Sequence, residues 1–132
     1  MAKVRRKSRQ RGVTSIAVAA GIEVGTSLLL IIRPSLFVWL LFGAELSAAG
    51  DALGRLAGFA LLALALACWP GPGTAAQSIA AFRALLLFSL LTTVYLLYLG
   101  IGSGPVGPLL WPASALHAGV AIFLGRELLS TS

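Results

Sequence analysis

The chain is 132 residues long, 58% hydrophobic and only 11% charged, with a mean hydropathy of +0.96. Soluble domains average roughly 45–50% apolar and about 25% charged residues, so these few charges argue against a water-soluble globule and equally against disorder. The formal net charge is +6, and six of the ten Lys and Arg residues (Lys3, Arg5, Arg6, Lys7, Arg9 and Arg11) precede the first apolar run. Placed there, the basic cluster reads as a cytoplasmic anchor on anionic lipid headgroups, and no nucleic-acid partner is expected.

Four apolar runs are long enough to span a bilayer, for which about 20 residues are needed. They are predicted at 13–32, 52–69, 79–99 and 109–125. Helices are the expected spanning element, because the runs do not alternate and an open sheet leaves its backbone unsatisfied in lipid. The first run, Val13–Ile32, is twenty residues with Glu23 inside it, longer than the roughly 7–15 residues of a signal-peptide core. It is expected to be a retained helix. Arg33-Pro34 ends it, and Ser35–Phe42 reads as a short interfacial helix with Pro34 in its first turn. Gly43–Gly50 is expected to be a turn, with Asp51 near the start of the second span. Pro70-Gly71-Pro72-Gly73 closes the second span, and the Gly- and Pro-rich stretch 100–108 closes the third.

The expected fold class is therefore all-α, an integral membrane four-helix bundle with a short interfacial helix between helices one and two. A basic cytoplasmic segment (1–12) precedes the four-span domain (13–126), and a short cytoplasmic tail (127–132) follows it. With the N-terminus inside, eight basic residues fall on the cytoplasmic side and two, Arg33 and Arg55, on the outer side. Both termini are then cytoplasmic. Trp69 marks the inner boundary, and Trp39 and Trp111 mark the outer one. The expected location is the bacterial inner membrane.

Three spans carry an ionisable residue between small residues four apart: Gly21 and Gly25 around Glu23, Gly54 and Gly58 around Arg55, and Ala115 and Gly119 around His117. Small residues let helix backbones approach closely in lipid. Glu23 is the eleventh residue of its twenty-residue span, a depth at which a bare charge is costly. An intramembrane polar cluster of Glu23, Arg55 and His117 is expected, with Ser89, Thr92 and Thr93 as its possible extension. Such a cluster either only orients the helices, or forms a proton-coupled substrate site or a headgroup or quinone pocket, or buries Glu23 as a neutral acid against a partner protein.

One cysteine, Cys68, and one histidine exclude an internal disulfide, a multi-cysteine metal centre and a bis-histidine haem within one chain. No nucleophile, base and orienting group occur together. Neither a catalytic set, a metal site nor a cofactor is expected, and the chain is not read as an enzyme.

Two resemblances follow from these residues. The segments Ile-Glu23-Val-Gly-Thr-Ser-Leu-Leu, Arg33-Pro34, Leu-Leu-Phe-Gly-Ala-Glu45-Leu, Arg55-Leu-Ala-Gly through Cys68-Trp69-Pro70, and Leu-Trp111-Pro112-Ala-Ser-Ala-Leu-His117-Ala resemble small bacterial inner-membrane proteins of the broadly DoxX-like four-helix kind. That resemblance implies an association with redox-enzyme complexes and with a quinone or haem, although no residue carries a catalytic role across. Locally, Glu23-Val-Gly-Thr-Ser-Leu-Leu is similar to the first-helix motif of small multidrug resistance transporters, which implies a proton-exchanging Glu23. Arg55 inside a bundle opposes a cationic substrate.

The first expectation is a non-enzymatic accessory or structural subunit, held in the lipid bilayer with a membrane-protein partner or as a homo-oligomer, and packed around a Glu23–Arg55 pair. The alternatives are a proton-coupled small-molecule transporter using Glu23, and a quinone- or haem-associated redox subunit of DoxX type.

Overall fold

The lengths of the apolar runs and the breakers between them set the elements. The structure, a computed structural model, describes residues 2–71, 75–102, 104 and 106–130, with only the backbone of 2–12, 75–78 and 130. The described residues form five α-helices: α1 (Ala2–Ile32), α2 (Pro34–Phe42), α3 (Ala48–Ala67), α4 (Ala75–Ile101) and α5 (Leu110–Ser130). No strand occurs among them.

Three of these helices contain stretches long and apolar enough to cross a membrane, Val13–Ile32, Ala48–Ala67 and Ile79–Ile101. A protein with these helices has the character of a membrane protein. All but the first residue of the predicted fourth span lies within α5, whose apolar run is diluted by Pro112, Ser114, His117, Arg126 and Glu127. α5 is a helix of 21 residues but is not one of the three.

The element boundaries depart from the sequence expectation in instructive ways. The basic segment 2–12 continues α1 as helix; the side chains of Lys3, Arg5, Arg6, Lys7, Arg9 and Arg11, predicted to meet headgroups, lie outside the described residues. α3 begins at Ala48 rather than at 52, because the Ser47 side chain accepts a hydrogen bond from the Gly50 N–H (3.1 Å) and caps a helix that Ala48 and Ala49 favour. Asp51 then falls in the first turn. α2 starts on Pro34, where the missing N–H is no loss, and ends on Gly43, whose φ of 65° is the left-handed conformation of a helix C-terminus.

The helices form two antiparallel hairpins. α1 packs along α3, and α4 packs along α5. In the first hairpin the α3 glycines do the work: a methyl on Gly58 would lie 2.8 Å from Ile31 Cγ1 and 3.0 Å from the Ser27 carbonyl oxygen, and one on Gly54 would lie 2.7 Å from Pro34 Cβ. Close backbone approach substitutes for the hydrophobic drive that lipid removes between helices. In the second hairpin, a methyl on Gly100 would meet the Leu110 and Trp111 side chains.

Between the hairpins, α1 makes much sparser contact with α4 and α5. α1 is nonetheless the central helix, with 39% of its span buried against 11% for α3 and 17% for α4. An apolar cluster of Ile16, Ala19, Cys68, Leu85 and Leu124 closes one end. At the other end, backbone hydrogen bonds run from Gly107 N–H to Leu41 C=O (3.0 Å) and from Leu109 N–H to Leu40 C=O (2.8 Å). Trp39 and Trp111 belong to this second end and Trp69 to the first, and each is about half exposed.

Candidate functional site

The inward face of α1 is set by helical period: Ser15, Ile16, Ala19, Ala20, Glu23, Ser27 and Leu30 are the buried positions. On α5 they are Leu110, Ser114, His117, Ala121 and Leu124. Ile16 and Leu30 lie seven residues either side of Glu23, and Leu110 and Leu124 lie seven either side of His117. Two helical turns, about 10 Å by the helical rise, therefore separate each ionisable residue from an apolar plug on either side. The antiparallel run of α1 and α5 brings the two midpoints together.

Glu23 is only 2% exposed and His117 only 7%. His117 Nδ1 and Glu23 Oε1 are 3.9 Å apart, beyond hydrogen-bond length. Glu23 Oε2 and His117 Nδ1 are buried with no hydrogen-bond partner among the described residues. Phe88 of α4 presents an edge-on ring contact to His117, with centroids 5.9 Å apart and an interplanar angle of 75°. An acid, an imidazole and an aromatic ring thus meet where the two hairpins meet.

The neighbouring hydroxyls do not fill the gap. Ser27 Oγ donates to the Val24 carbonyl (2.8 Å), Thr93 Oγ1 to the Ser89 carbonyl (2.7 Å), and Ser114 Oγ to the Leu110 carbonyl (2.8 Å). This back-bonding satisfies the hydroxyl within its own helix. Of the predicted extension, Ser89 is fully buried, Thr93 is committed to the Ser89 carbonyl, and Thr92 is half-buried.

The expected Glu23–Arg55 pair is replaced by another. Arg55 Nη2 lies 2.9 Å from Asp51 Oδ2, one helical turn earlier on α3, and the Arg55 side chain is 52% exposed. Asp51 Oδ1 also accepts from Ser35 Oγ at 2.7 Å, which ties the start of α2 to the start of α3. The cause is rotational: Gly54 and Gly58 turn toward α2 and α1, which leaves Arg55 on the outer side of α3.

The same logic divides the small-residue pairs. Gly54 and Gly58 pack closely, whereas a methyl on Gly21, Gly25 or Gly119 would meet no atom within 4 Å, and Ala115 is exposed. With Glu23 turned inward, residues two positions away on either side point outward, because two residues turn a helix by about 200°.

Ser27, Ser114 and Phe88 were missed by the sequence reading. Ser27 stands four residues after Glu23 and Ser114 three before His117, so the helical period carried the signal for those two. No local pattern places Phe88 against His117. Arg55's true partner was signalled by an acid four residues before it on one helix.

Among the described residues, no three His, Cys, Asp or Glu side chains converge as a metal site would require. Glu23 and His117 supply one carboxylate and one imidazole, a set suited to holding and passing a proton. The chain matches no family model, no curated protein and no solved structure.

Proposed function

We propose that the protein is a small multi-pass inner-membrane protein in which the Glu23–His117 pair binds and releases a proton, as a proton-coupled transporter of small molecules requires. In this reading α5 is the fourth spanning helix of a four-helix bundle, α2 lies in the outer interface, and both termini are cytoplasmic.

The observation that carries the proposal is that Glu23 and His117, buried on separate hairpins, face each other at 3.9 Å, with Glu23 Oε2 and His117 Nδ1 lacking a hydrogen-bond partner among the described residues. A charge buried without compensation is strongly disfavoured. The pair is neutral overall only when it holds one titratable proton, on the carboxyl group or as a carboxylate facing an imidazolium. Loss of that proton leaves a single negative charge that a second species or a helix movement must compensate. Where that second species is a solute, its binding is coupled to release of the proton.

The accessory-subunit reading, including a redox subunit of the DoxX-like kind, remains the alternative. The accessory-subunit reading was attached to a Glu23–Arg55 pair, and the Asp51–Arg55 contact removes that support; the redox reading rests on the resemblance alone. A pair serving only to align helices is best served by a closed hydrogen bond, whereas this one is open at 3.9 Å.

Infrared difference spectra of the chain in lipid, between acidic and alkaline buffer, test the proton site. A protonated-carboxyl band that titrates and vanishes in Glu23→Gln is expected. Vesicles loaded with a pH indicator and exposed to a panel of labelled solutes then test coupling. Solute-dependent proton flux lost in Glu23→Gln supports transport. A chain without flux that is extracted with a stoichiometric partner, or with a chromophore sensitive to His117→Ala, overturns transport in favour of the accessory or redox reading.

A further inference from the structure

We infer that the buried pair exchanges its proton with water on the α2 side of the bundle, through a layer of hydroxyl groups formed by Ser27, Ser114 and Thr93. The inference rests on reading Glu23–His117 as a proton site, and it adds the side from which the proton comes and goes.

Contacts between the helices fix three levels of the bundle. Glu23 faces His117, and the Phe88 ring meets His117 edge-on, so positions 23, 88 and 117 share one level. At the α2 end, Gly100 lies against Leu110 and Trp111, and the segment 107–109 bonds to the last turn of α2. At the other end, Ile16, Leu85 and Leu124 pack together. From the pair outward, the two directions differ on all three helices. One turn toward α2, the inward positions are Ser27, four residues after Glu23, and Ser114, three before His117, and both are buried. Thr93 of α4 is half-buried and stands five residues after Phe88 in the same direction. One turn the other way, the inward positions are Ala19 and Ala20 on α1, Ala121 on α5 and Leu85 on α4, all buried.

The hydroxyl groups suit a proton path by their hydrogen bonds. Ser27, Thr93 and Ser114 donate their own protons to the Val24, Ser89 and Leu110 carbonyls. A hydroxyl that has donated keeps lone pairs on its oxygen, so this layer offers acceptors to a water molecule or to the O–H of a protonated Glu23. A water held there takes the proton from Glu23, which is left as a carboxylate, and a proton passes on toward the α2 side. The reverse sequence recharges the acid. Ser27 and Ser114 gain and lose no proton overall and are positioning residues for that water. In the other direction the lining is apolar without a break, from Ala19, Ala20 and Ala121 to Ile16, Leu85 and Leu124. That is two helical turns, about 10 Å, and an excess proton crossing it has no oxygen to solvate it. Ser15 and Thr14, each with a partner of its own, stand beyond those two turns.

The experiment follows the protonated-carboxyl infrared band of Glu23 in lipid vesicles whose two chain orientations are unequally populated. Glu45 is exposed at the α2 end and provides the orientation reporter. Glu45→Cys in a Cys68→Ala background is labelled from outside by a membrane-impermeant maleimide only where the α2 end faces out. Within seconds of a step in external pH, with the lumen strongly buffered, the fraction of the band that responds should equal the fraction of chains so labelled. Ser27→Ala combined with Ser114→Ala should slow that response several-fold and leave the final extent of titration unchanged, an effect on rate alone that a merely structural role does not produce. Circular dichroism verifies that the variants are folded, and the side dependence is read without them. A responding fraction that matches the unlabelled chains, a response of the whole band, or an unslowed response in the double variant overturns the route while the carboxyl group still titrates. Absence of any titrating band defeats the proton site itself, and the route with it.

Discussion

α1 presents two seams built on opposite principles. Toward α3, Ser27, Leu30 and Ile31 receive the bare backbone at Gly58, and Pro34 at the start of α2 covers Gly54. Toward α5, Glu23 faces His117 across 3.9 Å, with polar atoms on both sides unpartnered. The first seam gains dispersion from every closely approaching atom pair and needs no partner for any polar group. The second places ionisable groups where lipid and protein offer little solvation, so its stability depends on protons and polar partners. A dense seam holds a hairpin together as one body. The sparser polar seam joins the two hairpins.

The largest effect should come from breaking the dense seam. Gly58→Val puts side-chain atoms where Ile31, Leu30 and the Ser27 carbonyl already stand. Overpacking of this kind costs roughly 1–3 kcal/mol, and here the backbone carbonyl cannot swing aside. Thermal unfolding in mild detergent should show a large loss; an unchanged transition would mean the α1–α3 seam is looser than the structure has it.

The polar seam is tested next by a double-mutant cycle on Glu23→Gln and His117→Ala. Contacting residues in one network couple by about 0.5–3 kcal/mol, and a value in that range is expected from the unfolding free energies. Additive effects would separate the two groups and remove the shared site. Phe88→Leu, which deletes the ring edge against His117, should weaken that coupling without abolishing it.

A smaller effect of opposite sign is expected at the outward face of α1. Gly21→Ala meets open space, and alanine is favoured over glycine inside a helix by up to about 1 kcal/mol. Stability should be kept or slightly raised. A loss would show that another helix lies against this face in the assembled protein and would add a third seam to α1.

Arg55→Ala should change least. Its pair with Asp51 spans one turn of a single helix at a half-exposed site, and such pairs contribute about 0–1 kcal/mol. A large loss of stability, read in the same unfolding assay, would restore Arg55 to a role in the bundle interior.

Much of the fold was legible before any coordinates. The run Val13–Ile32, the stop at Arg33-Pro34, the short helix ahead of Gly43 and the helix near 79–99 follow from hydropathy and from the conformational limits of proline and glycine. The start of α3 was misplaced because Ser47 looked like part of a turn, when its hydroxyl is a helix cap. Of the candidate site, Glu23 and His117 stood out by depth, and the structure places them together. Arg55 was drawn to the wrong acid, because depth along a helix was weighed and rotation about its axis was not.

That difference marks what each level decides. The sequence by itself determined that the chain is helical, roughly where its helices lie and that three of them are apolar enough for a membrane, since lipid acts on each segment separately through its own hydrogen bonds and side chains; it also read a fourth span in α5, which is not one of these three. Only the tertiary structure decided which face of each helix turns inward. That choice depends on how Gly54 and Gly58 seat against Pro34, Leu30 and Ile31, residues twenty or more positions away. The same rotations turn Arg55 outward to Asp51 and bring Glu23 to His117, ninety-four residues further along the chain.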